Sequence, residues 1–370
     1  MDLEKSRAEI NDINKEMLKL FERRMKCSSE IALYKKENRM DIFDGAREKK
    51  ILSQIEAMGS DEYRPYTIEF FQSIMEISKD YQEKILGNTA SDTITPTILK
   101  KITPKKIAYS GIEGSYSYEI CDTSYPDTQK IGYDTFEKVF KAVKSGIADY
   151  GVLPIENSST GSLFDVYELL LKYQYYIVDE KILKIDHNLL APHESKIEDL
   201  TVIYSHPQAF MQCSDFLNTM SGVEFLPYYN TAISAKAISE YNDKTKGAIA
   251  GKNAAHLYNL KILAENINNK KDNYTRFILV SPKLEIAENA SKVSITFVVK
   301  HQSGALMRCL KAFHKKNLNL IKLESRPHPE KAWQYVFFAD FEGNFINGNL
   351  SDIISDLKKE TISLDFLGNY

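Results

Sequence analysis

Apolar positions near the start of the chain recur at a helical period. Leu3, Ile10, Ile13, Met17 and Leu20 are followed by Arg24, and then by Cys27, Ile31 and Tyr34. From Ile10 onward the steps alternate three and four, the period of a helix packed along one seam. The pattern predicts helices over 3–38, 45–58 and 64–86, with Asp44 capping the second and Gly59 ending it. The run GNTASDTITPTILKKITPKK then reads as a linker. From 106 to 281 short β-rich runs alternate with amphipathic stretches. KIAYS, DYGVLPI, TVIYS, VEFLPYY, GAIAG and RFILVS are strand candidates. SYSYEIC, TFEKVFKAVKSG, SLFDVYELLLKY, PQAFMQCSDFLNTM and AISAKAISEY are helix candidates. Such alternation predicts an α/β domain with mostly parallel sheets. SPKLEIAENAS reads as another loop. Beyond it VSITFVVK, GALMRCLKAFHKK, NLIKLES, WQYVFFADF, DIISDLKK and SLDFL give the order β-α-β-β-α-β, that of the ferredoxin-like split motif.

Composition narrows the class. With 370 residues the chain can hold two or three domains, and 43% hydrophobic with 27% charged residues is that of a soluble globular protein. A net charge of −3 gives no footprint for a nucleic-acid partner. There is no apolar run of about 18 residues, so no membrane span is expected. The start MDLEKSRAEI lacks the apolar stretch of a signal peptide, which disfavours a secreted binding protein. Cys27, Cys121, Cys213 and Cys309 are scattered, the pattern of reduced thiols in a cytoplasmic protein. The seven histidines show no metal-ligand spacing, so neither a metal nor another cofactor is expected.

Arg24 stands where the seam calls for an apolar residue, and a guanidinium taken out of water costs several kcal/mol unless an anion meets it. Lys35 lies eleven residues on, within roughly 20° of the same face and about 16 Å along the axis. Two long cationic side chains so placed can close on a small anion. Arg7 projects about 100° away from Arg24, so it serves a different pocket or the same pocket on a partner chain. A helix this long outreaches the two short helices, and its seam predicts dimerisation. Asp44, Arg47 and Glu48 fall within one turn, and Ser78 and Gln82 share a face of the third helix. Singly each reads as a cap or a solvated charge, and a buried carboxylate could neutralise Arg24 with no ligand.

Together these eight residues resemble the all-helical chorismate mutases, whose pattern is an early Arg, an Arg followed eleven residues later by Lys, a D-x-x-R-E, and a Ser and Gln four apart. The resemblance implies a rearrangement of chorismate to prephenate that needs no nucleophile, metal or proton transfer. It implies that Arg24 and the partner subunit's Arg7 clamp two carboxylates. Lys35 and Gln82 donate to the ether oxygen, Glu48 and the backbone near Asp44 hold the ring hydroxyl, and Arg47 and Ser78 complete the carboxylate contacts. Such a site works by holding a conformer and meeting developing charge with preorganised donors.

In the middle stretch YSGIEGSYSY (109–118), LPIENSSTGS (153–162), YSHPQAF (204–210) and YYNTAIS (228–234) share one layout: strand, polar loop, helix start. Free N–H groups at helix starts bind carboxylates, and in parallel sheets such loops gather at the strands' carboxyl ends. One such junction is ordinary capping; four point to a cleft for an acidic metabolite, lined by neutral donors. Thr275 and Arg276 in NYTRFILV read alone as a strand start with a solvated Arg. PIENSSTGS, YSHPQAFMQC and TRF together resemble prephenate dehydratase over most of 106–281. The resemblance implies a two-lobed fold like the periplasmic binding proteins, one lobe from 106–184 plus 262–282, the other from 185–261, with the site between. Thr275 is then the main catalytic residue, protonating the departing ring hydroxyl as the ring carboxylate leaves as carbon dioxide. Glu156, Asn157, Ser158, Thr160, Ser205, Gln208 and Gln212 would line the cleft, with Arg276 orienting the dianion. The family's first loop, G-P-x-G-[ST], here reads Gly111-Ile112-Glu113-Gly114-Ser115, which loosens a turn and removes no donor.

The phrases SGALMRCL and LESRP, within the β-α-β-β-α-β order, resemble the amino-acid-binding ACT domain. There Gly304, Ala305 and Leu306, with Glu324, Ser325, Arg326 and Pro327, would border a phenylalanine pocket at a dimer interface. The expectation is a multidomain chain: an all-α mutase domain at 1–88, a linker at 89–105, an α/β dehydratase domain at 106–282 and an α+β ferredoxin-like ACT domain at 293–370. It would act on chorismate and prephenate, make phenylpyruvate, answer to L-phenylalanine, and assemble as a homodimer or a tetramer. Two other readings stay open: arogenate as the substrate of the middle domain, and a non-catalytic amino-acid sensor.

Overall fold

The computed structural model describes residues 2–38, 40, 44–86, 96–328, 331, 333–346 and 350–370. They form two compact units, 1–92 and 93–370.

The first unit is three helices, α1 (Leu3–Glu37), α2 (Gly45–Met58) and α3 (Arg64–Leu86), within a residue of the expected bounds. Local chemistry sets the ends. Asp2 accepts from the backbone N–H groups of Glu4 and Lys5, Asp44 accepts from that of Arg47, and α2 stops at Gly59. Both α1 and α2 pack on α3. The side chains that α1 buries there are Ser28 and Ala32, while Ile31 and Tyr34 of the expected seam are exposed. The earlier seam, from Leu3 to Leu20, is exposed as well. A 35-residue α1 is about 52 Å long and a 23-residue α3 about 35 Å, so α3 cannot cover it.

The second unit opens with β1 (Thr97–Leu99), β2 (Lys106–Ser110), α4 (Tyr116–Ser124), β3 (Gln129–Tyr133), α5 (Phe136–Lys144), β4 (Tyr150–Asn157), β5 (Gly161–Ser162), α6 (Phe164–Tyr173) and β6 (Tyr176–Lys184). A second lobe follows: β7 (Asn188–Ala191), β8 (Val202–Ser205), α7 (Pro207–Gln212), α8 (Ser214–Leu217), β9 (Glu224–Pro227), α9 (Thr231–Tyr241), β10 (Lys246–Ala250), α10 (Lys252–Leu257) and β11 (Lys261–Ala264). The chain then returns through β12 (Tyr274–Ser281) and β13 (Glu285–Ala287). It ends in β14 (Lys292–Val299), α11 (Ala305–Lys315), β15 (Leu320–Pro327), β16 (Tyr335–Glu342), α12 (Leu350–Glu360) and β17 (Thr361–Asn369).

The second lobe's sheet runs β11-β7-β10-β8-β9, and the large sheet runs β15-β16-β14-β17-β6-β12-β4-β2-β3 with β5 beside β4. Both are mixed rather than mostly parallel. β12 re-enters antiparallel between β4 and β6, and β7 runs antiparallel to β10 and β11, because the chain crosses between lobes and comes back. β11 still belongs to the second lobe, although a return at 262 was expected. The expected linker and loop partly pair with each other, as β1 with β13.

The last six elements follow the expected β-α-β-β-α-β order, but their sheet continues the first lobe's. β17 meets β6 at Gly368 and Ile177. A Cβ at Gly368 would collide with the carbonyl of Ile177, so the junction requires glycine. Val298, Val336, Phe338 and Leu367 share one core with Val139, Phe140 and Tyr167 of the first lobe. The boundary expected after 282 is therefore not a break in the packing.

Candidate active sites

In the helical unit Arg24 is half-buried and burial pulls its guanidinium down from its ordinary value. Its Nη1 donates to the carbonyl of Ile74 at 3.3 Å and to Ser78 Oγ. Among the described residues no carboxylate pairs with it. Arg24, Ser28, Ser78 and Gln82 lie together between α1 and α3. Three of the expected residues have partners of their own on this chain. Gln82 Nε2 donates one hydrogen to Ser28 Oγ at 2.9 Å, which leaves its second for a ligand, and its Oε1 meets no partner. Glu48 pairs with Lys79 at 2.9 Å, since both lie on the facing sides of α2 and α3. Arg7 is exposed and pairs with Glu4, apart from Arg24 on the same chain. Lys35 is half-buried in the last turn of α1, Arg47 is exposed at the start of α2, and Asp44 caps that start.

In the second unit the pairing of β12 with β4 builds the site. Thr275 lies opposite Asn157 and Arg276 opposite Glu156, with Ile155 bulged out of register next to them. Side chains alternate along a strand, so the two pairs face opposite ways. On one face Asn157 Nδ2 donates to Thr275 Oγ1 at 2.9 Å, to Asn273 Oδ1 at 2.7 Å and to the carbonyl of Tyr274 at 3.1 Å. Its Oδ1 accepts from the N–H of Ser159 at 2.9 Å and from Thr160 Oγ1 at 3.3 Å. The amide can sit only one way round, because the Ser159 N–H must donate and the Tyr274 carbonyl must accept.

The network continues through residues that the motifs did not single out. Asn273 Nδ2 donates to Gln212 Oε1 at 3.3 Å, which lies 2.9 Å from His187 Nε2; His187 Nδ1 lies 3.0 Å from the Tyr116 hydroxyl. Burial pulls His187 below its ordinary value and keeps the ring neutral. Its proton then sits on Nε2 toward Gln212, and Nδ1 shares the one proton of the Tyr116 hydroxyl with the carbonyl of Asp186, also 3.0 Å from it. A second bridge joins the lobes where Gln208 Nε2 donates to Thr160 Oγ1 at 2.8 Å. Ser158 pins the start of β12, accepting from the N–H of Tyr274 and donating to the carbonyl of Asp272. Asn273, two residues before Thr275, was within reach of a period-2 reading; Tyr116 stood in the 109–118 junction without being singled out, and His187 carried no sequence signal, since only the lobe crossing brings the two together.

Asn157, Ser158, Thr160, Gln208, Gln212 and Thr275 therefore gather, and three expected cleft residues do not. Ser205 is fully buried and donates to the carbonyl of Ile249 at 2.8 Å. Glu156 and Arg276 lie on the reverse face of the strands, Arg276 Nη1 donating to Asp340 Oδ2 at 2.7 Å. The cleft side of Thr275 is thus furnished by neutral groups.

The two phrases in the last stretch open on different hollows of the chain. Gly304 starts α11 at φ 75 with no side-chain cap, and it borders a cavity of about 260 Å³ with Ala305, Leu306, Trp333 and Tyr335. Arg326 and Pro327 line another cavity beside Phe136 and Phe164, with Arg326 stacked over the Phe164 ring at 3.6 Å. Glu324 turns to Ser162 and Lys322, and Ser325 is paired in β15 with Phe337.

The family profile described as Chorismate mutase type II matches residues 6–83, and that described as Prephenate dehydratase matches 107–285. The bifunctional chorismate mutase/prephenate dehydratase of Buchnera aphidicola subsp. Acyrthosiphon pisum is 33% identical over 98% of this chain and 95% of its own. The solved prephenate dehydratase of Arthrobacter aurescens, in complex with L-Phe, is 26% identical and covers 72% of this chain and 89% of its own, with a TM-score of 0.65. A solved chain described as a quorum-quenching acylase, 28% identical over 72% of this chain and 97% of its own, gives the same TM-score, so the fold alone does not decide the activity. The two profiles side by side and a relative matched over 98% of the chain do: the chain belongs to the family of bifunctional chorismate mutase/prephenate dehydratases.

Proposed function

We propose that the helical unit rearranges chorismate to prephenate and that the cleft of the second unit converts prephenate to phenylpyruvate. The observation that carries the second step is the direction of one hydrogen bond. Asn157 donates to Thr275 Oγ1, so the hydroxyl's own proton is left to point at a ligand. As the ring carboxylate leaves as carbon dioxide, its bonding electrons enter the ring and expel the hydroxyl, which departs as water with that proton; solvent reprotonates Thr275. Aromatisation drives the step, so modest acid assistance suffices.

For the first step the support is Arg24, held by neutral oxygens with no carboxylate opposite among the described residues. A dicarboxylate would supply the missing charge. Lys35, Gln82 and the partner subunit's Arg7 complete the clamp, and the exposed seam from Leu3 to Leu20 is the surface for that second copy. L-phenylalanine lowers the second activity by binding the cavity at Gly304, Ala305 and Leu306, in an ACT-type region at 293–370. The L-Phe complex of the Arthrobacter protein supports this, and the separation of Arg326 and Pro327 from that cavity fits a pocket completed across a dimer. The four free cysteines suit a reducing compartment, the cytoplasm.

The test uses the full chain: loss of chorismate absorbance, and phenylpyruvate formed from supplied prephenate, each with and without L-phenylalanine. Arg24→Ala should abolish the first activity and spare the second; Thr275→Ala should do the reverse. Retention of both activities in either variant refutes that half of the assignment.

A further inference from the structure

Behind Thr275, on the reverse face of β12, lies a half-buried ionic array that the reaction does not touch. Four carboxylates, Glu156, Glu180, Glu324 and Asp340, face three cations, Arg276, Lys292 and Lys322. Arg276 is its centre. Nη1 donates to Asp340 Oδ2 at 2.7 Å, Nη2 lies 3.4 Å from the Tyr167 hydroxyl, and Nε lies 3.5 Å from Glu156 and 3.4 Å from Glu180 without a hydrogen bond to either. Burial alone would lower Arg276, but Tyr370, Asp340, Tyr167 and Glu180 around it raise it well above its ordinary value. Asp340 sits on β16, its side chain 3% exposed, and its other oxygen accepts from Ser294 Oγ at 2.5 Å. Ser294 in turn meets the Tyr370 hydroxyl at 2.6 Å. Buried ion pairs add little net stability over apolar packing, and in some proteins they serve instead to fix one arrangement of the chain.

We propose that Asp340 is a positioning residue for the dehydratase reaction. It holds Arg276, and Arg276 fixes β12 one residue from Thr275, so that Oγ1 stays in reach of Asn157 and its proton faces the cleft. This rests on Thr275 being the acid. The C-terminal β-α-β-β-α-β region thereby supplies a part of the catalytic geometry, through a side chain that never meets substrate. Displacing a reacting group by about 1 Å costs on the order of 100-fold in rate, so a small slip of β12 is enough.

The test is steady-state turnover of prephenate by the full chain carrying Asp340→Asn, with the mutase rate and the melting curve as controls for folding. The expected result is a fall in kcat of about tenfold or more with KM within about threefold, because acid geometry and not binding is lost. In a Thr275→Ala background the same change should cost less than about twofold, since the residue acts through Thr275. A kcat within about twofold of the parent, a rise in KM alone, or an equal loss in the Thr275→Ala background would each overturn the proposal. If Asp340→Asn does not fold, Glu180→Gln decides: a fall of about threefold or more in kcat at constant KM supports the array, and an unchanged kcat overturns it. Full turnover by Thr275→Ala alone refutes the acid assignment, and the proposal with it, before Asp340 is altered.

Discussion

Replacing Asn157 by Asp keeps the shape of the side chain and one acceptor oxygen but turns its donor nitrogen into a second acceptor. Thr275 Oγ1 loses its donor, whereas Asn273 Oδ1 keeps Ser159 Oγ at 3.4 Å and the Tyr274 carbonyl keeps the N–H of Ser158 at 2.8 Å. The Thr275 hydroxyl then swings its proton to the new carboxylate and away from the cleft. Loss of one preorganised donor of this kind is worth about 2.7–4 kcal/mol, or 100- to 1000-fold in kcat. The site is 7% exposed, so the weakened bonding around it also costs about 1–3 kcal/mol of stability. Asn157→Ala removes the donor without adding a charge, so at neutral pH it should be less damaging than Asn157→Asp. Burial also raises the new carboxyl's pKa, and the protonated form regains an O–H donor. Activity of Asn157→Asp relative to the parent should therefore rise as pH falls through that raised value. The assay is phenylpyruvate formed from prephenate over a pH series, with chorismate consumption as the folding control. An Asn157→Asp protein that folds and keeps kcat within about threefold at neutral pH would refute the reasoning.

Three further outcomes are expected. Gly368→Ala should lower the melting temperature of the second unit by about 4–10 °C, since the added methyl meets the carbonyl of Ile177; a shift under about 1 °C would mean that the β17–β6 junction is not close-packed. Trp333 is the sole tryptophan and borders the cavity at Gly304, so L-phenylalanine should alter its emission. Unchanged emission at a concentration that inhibits the dehydratase would place the effector elsewhere. His187 is held below its ordinary value of 6.5 by burial, so below that pH the unfolded state binds the extra proton and stability falls. Denaturant midpoints from neutral to acid pH should show this slope in the parent and less of it in His187→Gln; identical slopes would show that His187 is not the group responsible.

Much of the first unit was legible because its determinants are local. The period of three and four, the caps at Asp2 and Asp44 and the stop at Gly59 act within a turn or two of chain, and the three helices fall within a residue of the reading. The β-α-β-β-α-β order at the end was readable for the same reason. Strands such as β3, β6, β7 and β11 were missed because their apolar runs are short and their identity comes from a neighbour supplied from elsewhere in the chain.

The chemistry divides in the same way. Thr275, Asn157, Gln208 and Gln212 could be nominated from motifs, but motifs group residues by adjacency. Adjacent residues on a strand face opposite sides, so Glu156 and Arg276 went to the ionic array while Asn157 and Thr275 went to the cleft. Which face is the cleft depends on where the second lobe and the last sheet pack, as do the parts played by His187, Asn273 and Asp340. Residue types and local periods thus determined the elements and the donors available. Contacts between residues distant in sequence, from Gln208 and Thr160 at 48 positions to Asn157 and Thr275 at 118, decided which of those donors meet, because only packing across the chain selects one face of a strand over the other.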